Sequence, residues 1–157
     1  MRVLRLWTLV PVLLFGQNKD ACTDLQLEAD WASSPVYIEA NDLAQKLRAA
    51  EIQVQCIRQS KEEHLFDGQT GAAWFKTGQG VFEVWFLPEA DSFDNLQVIE
   101  QSAGDGRFVY SFAGTPQIGT VFDSSRRMQF IKHGNVLFEI WDDRTLAARI
   151  RSAFKKE

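Results

Sequence analysis

The spacing of apolar positions changes along the chain, and each change marks an element. Leu43, Ala44, Leu47 and Ala50 recur at helical spacing, with Gln45, Lys46 and Arg48 on the other side, which predicts a one-sided helix over 41–50. Asn41 and Asp42 stand at its start, where short polar side chains accept hydrogen bonds from free backbone N–H groups. Val36-Tyr37-Ile38 reads as a short strand or as a lead-in to that helix. From Ile52 the period falls to two. Ile52, Val54 and Cys56 alternate with Gln53 and Gln55, the pattern of a half-buried strand.

Three hairpins are expected next. Residues 72–77 and 81–87 flank Gly78-Gln79-Gly80, residues 96–102 and 107–113 flank Gly104-Asp105-Gly106, and residues 128–132 and 136–141 flank His133-Gly134-Asn135. Each turn holds glycine, as expected where the backbone turns through positive φ. Residues 114–125 read as a longer loop. Leu146, Ala147, Ile150, Ala153 and Phe154 then form the stripe of a C-terminal helix, capped by Asp142 or Asp143, with Lys155 and Lys156 at its negative end. The expected fold is therefore α+β. Its antiparallel β-sheet of about six to seven strands is built from hairpins, with one helix before it and one C-terminal helix packing on it. Residues 36–157 make a single domain, and residues 22–35 a polar N-terminal arm.

Two strands stand out. In 81–87, Phe82, Val84 and Phe86 share one face, while Val81, Glu83, Trp85 and Leu87 share the other. In 136–141, Val136, Phe138 and Ile140 oppose Leu137, Glu139 and Trp141. Strands apolar on both faces are central strands covered on both sides. The hairpins that end in them echo each other, from Phe75 to Trp85 and from Phe130 to Trp141. If the strands are neighbours and their glutamate face is open, Glu83, Trp85, Glu139 and Trp141 form a ligand-binding platform. Its rings would stack on sugars or cations, and its carboxylates would bind hydroxyls or positive groups. The alternative places both tryptophans under a helix, with each glutamate at a wet margin.

The N-terminus carries a different kind of signal. Arg2 and Arg5 precede an apolar block from Leu6 to Phe15, the order and length of a signal peptide, expected to end at Ala21. The compartment is then secreted or periplasmic. There Cys22 and Cys56 can form one disulfide, which stabilises chiefly by restricting the unfolded chain. Loss of Arg2, Arg5, Lys19 and Asp20 takes 17 basic and 21 acidic residues to 14 and 20, a net charge of −6. Such an acidic domain repels phosphate backbones, so no nucleic acid is expected, and no membrane span remains in the mature chain.

Chemistry is sparse. No Gly-x-Ser-x-Gly elbow, phosphate loop, calcium loop or zinc-ligand spacing occurs, so no catalytic residue, metal or cofactor is expected. His64 lies in a charged stretch and His133 in a turn, both read as solvated. Arg126-Arg127 could meet an anion, or guard a strand edge. The function expected is a small secreted or periplasmic, non-catalytic binding domain with a protein or glycan partner. A carboxylate-dependent hydrolase using Glu83 and Glu139 is the enzymatic alternative. A cytosolic adaptor is the other, if the N-terminal block belongs to the core.

Overall fold

A computed structural model describes residues 35–60, 69–90, 92–114 and 122–155. In chain order these form α1 (Pro35–Ala49), β1 (Val54–Gln59), β2 (Gly71–Thr77), β3 (Val81–Phe86), β4 (Gln97–Ser102), β5 (Phe108–Ala113), β6 (Phe122–Ser124), β7 (Met128–His133), β8 (Val136–Trp141) and α2 (Arg144–Ala153). The expected leader, Cys22, the arm up to Ser34, His64 with its charged neighbours, and Pro116 to Gly119 lie outside the described residues.

The class is α+β and every ladder is antiparallel. Among the described residues eight strands form two sheets, rather than six or seven in one: a five-stranded sheet in the order β1-β2-β3-β8-β7, and a three-stranded sheet in the order β4-β5-β6. The cause lies at β3. Its second edge is taken by β8, with Phe82 opposite Ile140 and Val84 opposite Phe138. The hairpin between them in sequence cannot continue the same sheet, so it forms its own. β6 falls in the stretch expected to be a loop, because three residues are too few to show a period.

Helix α1 begins at Pro35, six residues before the expected start. Val36, Ala40, Leu43, Ala44 and Leu47 make one continuous buried stripe, so the helical register runs back past Asn41 and Asp42. Those two lie inside the helix instead of capping it. Proline suits a first helical position, because its missing N–H has no partner there in any case. The helix ends without glycine. The Ile52 N–H reaches the Leu47 carbonyl at 2.9 Å and the Glu51 N–H reaches that of Arg48 at 2.9 Å, with Glu51 in the left-handed region at φ 64.

Both helices cover one face of the larger sheet, α1 over β1 and β2, α2 over β7. The core between them holds Phe75, Phe82, Val84, Phe86, Phe138 and Ile140 from the sheet, and Leu146, Ala147 and Ile150 from α2. Asp143 caps α2, its carboxylate accepting from the Leu146 N–H at 2.8 Å. In β1 the alternation slips. A bulge between Val54 and Cys56 gives Ile57, not Cys56, the helix-facing place opposite Phe75. Cys56 stays buried but sits opposite Lys76, on the other face.

Among the described residues, the other face of the larger sheet is covered at one end only. Trp85, Leu87, Leu137, Phe93 and Leu96 form a second core, with Val98 and Phe112 of the smaller sheet against it. Phe130 of β7 is the peg between the sheets. Its ring meets Tyr110 at 5.5 Å and Phe112 at 5.2 Å, edge to face. The β2–β3 turn contains no positive φ, contrary to expectation. The Thr77 hydroxyl holds it instead, accepting from the Gln79 and Gly80 N–H groups and donating to the Gly80 carbonyl.

Two substitutions test this backbone reading. Glu51→Gly relieves a left-handed non-glycine residue and is expected to raise stability by about 0.5–1 kcal/mol. Gly114→Ala is expected to lower it by about 1–3 kcal/mol, since at φ 98 an added Cβ runs into the Asn95 carbonyl. Urea titration of both variants gives sign and size; equal shifts in one direction would refute the assignment.

Candidate functional site

The larger sheet brings the two echoing strands together. β3 and β8 are neighbours, and Glu83 stands directly opposite Glu139 in the ladder. Each is flanked on its outer side by an aromatic residue, Glu83 by Trp74 of β2 and Glu139 by Phe130 of β7. The row continues to Arg58 of β1, whose guanidinium lies 5.9 Å from the Trp74 ring centre. All four expected platform residues therefore share one face of one sheet.

That face is not the open surface a platform needs. Glu83 is 2% exposed, Glu139 4% and Trp85 1%; only Trp141 is half-buried. Nor do the tryptophans lie under a helix, since both helices are on the opposite face. Trp85 packs beneath Phe93 and Leu96, and its indole N–H donates to Glu139 Oε2 at 3.2 Å. Trp141 stacks on Trp74, ring centres 4.9 Å apart at 24°. These two rings come from the strands on either side of β3, so they meet above it and roof Glu83. Trp74 is bounded by Trp141 and by the Arg58 guanidinium, which leaves little ring face for a sugar.

A groove unforeseen in the sequence runs along β7, the outer strand of the larger sheet. β4, the outer strand of the smaller sheet, forms one wall and α2 the other. One recess, of about 690 Å³, lies between Val98 and Ile99 on β4 and Arg151, Phe154 and Lys155 on the α2 side. A second, of about 500 Å³, continues past Phe130 to Glu100, Tyr110, Arg127 and Arg144. Ile99 is 41% exposed. His133, expected to be solvated, is half-buried and stacks on Phe154 at 4.4 Å.

The groove is held open by polar ties at both ends. Lys132 Nζ donates to the Leu96 and Asp94 carbonyls at 2.7 and 3.1 Å, fixing the start of β4 to β7. The Tyr110 hydroxyl accepts from the Met128 N–H at 2.7 Å and donates to Glu100 Oε2 at 3.3 Å. Burial pushes the Tyr110 phenol above its ordinary pKa, so it stays a donor through the neutral range. Arg127 pairs with Glu100 at 2.9 Å, and its neighbour Arg126 is exposed.

One signal for this groove was present in the sequence. Arg144 and Arg151 are spaced by seven, which puts them on one side of α2, and Lys155 follows just past its end. The other wall depends on where β4 lies, which no local pattern gives. Among the described residues, no cluster of three or more His, Cys, Asp or Glu residues could hold a metal ion, and no helix is long and apolar enough to cross a membrane. No family model, no curated protein and no solved structure matches the chain.

The buried row yields two expectations. Glu139→Leu removes the acceptor of a buried indole N–H and is expected to cost about 1–3 kcal/mol, whereas Glu139→Gln keeps an acceptor oxygen and costs less. The stacked Trp74–Trp141 pair is expected to give an exciton couplet in far-ultraviolet circular dichroism that disappears in Trp141→Phe. Equal costs for the two Glu139 variants, or no couplet, would count against this geometry.

Proposed function

We propose that the chain is a non-catalytic, extracytoplasmic binding domain that receives a segment of a partner protein in the groove along β7. The observation that carries this reading is the groove itself, floored by an outer strand and walled by β4, which presents Val98 and Ile99, and by α2. Outer strands accept partner chains through main-chain hydrogen bonds, and side-chain recesses add selectivity. Glycan stacking is less well supported, because Trp74 and Trp141 use their faces on each other. A hydrolase would need two acids around a bound sugar. Glu83 and Glu139 instead face each other in the ladder and are buried.

The extracytoplasmic part rests on the charged-then-apolar order of residues 2–15 and on the two cysteines. In this reading residues 1–21 are removed and Cys22 pairs with Cys56. That bridge would tie the start of the mature chain to β1, the outer strand at the far side of the larger sheet from β7. No free thiol occurs among the described residues.

Two measurements on the full chain, expressed in an exporting host, test the proposal. Intact mass should lack the leader and should gain two alkyl groups only after reduction. A photo-crosslinking residue at Ile99, in the groove, should give adducts that the same residue at Ile38, an exposed position on α1, does not. A full-length mass with two reactive thiols, or indistinguishable adducts from the two positions, would refute the corresponding half.

A further inference from the structure

The β7 edge has open main-chain groups. In an antiparallel ladder the N–H and C=O groups of successive residues point alternately toward and away from the neighbouring strand. The Met128 N–H points away from β8, since it meets the Tyr110 hydroxyl. Phe130 and Lys132, two and four residues on, therefore point the same way, into the groove. Among the described residues no hydrogen bond engages their main-chain groups on that side.

The two walls differ in chemistry. On the α2 side stand Arg144, Arg151 and Lys155, all exposed. On the β4 side stand Val98 and Ile99. The one carboxylate lining either recess, Glu100, is held by Arg127. The groove is thus basic in a chain whose net charge is −4. A second copy of β7 would bring these cations against themselves, so self-pairing along this edge is disfavoured.

Resting on the reading of the groove as a binding surface, we infer that its occupant is an acidic peptide strand of a partner protein. The strand pairs with β7 through the main-chain groups of Phe130 and Lys132. Its side chains alternate, acidic toward Arg144, Arg151 and Lys155, aliphatic toward Val98 and Ile99. The alternation follows from strand geometry, in which successive side chains point to opposite sides. The excess of cations on the α2 wall, against a β4 wall where Glu100 is balanced by Arg127 beside Val98 and Ile99, fixes which set is which.

The test is selection of a displayed random-peptide library on the full chain, with the Arg144→Glu/Arg151→Glu variant as counter-selection. Both sites are exposed, and a glutamate in the first turn of α2 suits the helix dipole. Unchanged circular dichroism and melting would show that the variant folds. Enriched peptides should alternate acidic with aliphatic residues. The variant should bind them at least about tenfold more weakly. On binding, the Phe130 and Lys132 amides should gain protection from hydrogen exchange. Enriched peptides that are neutral or basic, yet protect the same amides, would overturn the acidic assignment while leaving the groove reading intact. Peptides that leave those amides unprotected, or no enrichment at all, would overturn both.

Discussion

Strands β3 and β8 are apolar on both faces, and this constraint organises the rest of the molecule. A central strand of that kind must be covered twice. The helices supply one cover, with Phe82, Val84, Phe86, Phe138 and Ile140 beneath them. The second cover is improvised from three parts. The turn carrying Phe93 and Leu96 lies over Trp85 and Leu137, the smaller sheet presses on Phe130, and the Trp74–Trp141 pair closes the remainder. Because the smaller sheet must lean over the larger one to do this, its outer strand β4 stands beside β7 without pairing to it. The groove follows from covering the core.

That origin explains why the groove is wide and why it is polar at its ends. Two outer strands facing each other across a gap expose main-chain groups that would otherwise pair with other chains. The protein satisfies some of them with side chains: Lys132 takes the Leu96 carbonyl and Tyr110 the Met128 N–H. The same ties set how far the smaller sheet stands from β7. The basic residues of α2 then decide what kind of chain can approach.

Much of the fold was legible locally. The period-two strands, the three hairpins and the α2 stripe with its Asp143 cap are short-range patterns, and the structure contains them. The face assignments of Phe82, Glu83, Trp85, Phe138 and Glu139 were equally local. What local pattern could not give was long-range. The pairing of β3 with β8 sets Glu83 opposite Glu139 and lets Trp85 bond to Glu139, 54 residues on, and it splits the sheet in two. The bulge in β1 reverses Cys56 and Ile57, because one extra residue exchanges the faces of all that follow. The start of α1 was hidden by Asn41 and Asp42, which suit a cap as well as the outer side of a helix. The expected platform had the right residues and the right neighbours, but its openness depended on covers contributed by Trp74, Phe93 and Leu96, which no strand period reveals.

The two copies of Phe-Glu-(Val/Ile)-Trp show how context alone separates like sequences. Paired antiparallel about Glu83 and Glu139, they relate β3 and β8 by a local two-fold axis. Under strict symmetry both tryptophans would have the same surroundings. Trp85 is instead 1% exposed and hydrogen-bonded to Glu139, whereas Trp141 is half-buried and stacked on Trp74. The difference comes from the outer neighbours, Trp74 on one side and Phe130 on the other. Phe130 turns toward Tyr110 and Phe112 and draws the smaller sheet to its side. Trp74, with no such sheet above it among the described residues, closes over Glu83 with Trp141. Like charges directly opposite in a sheet are destabilising, and a buried polar group costs free energy unless it is bonded. The indole donor on Glu139 offsets part of that cost, whereas the Trp74–Trp141 pair closes Glu83 off from solvent. The same break in symmetry draws the smaller sheet to the β7 side, where the groove lies.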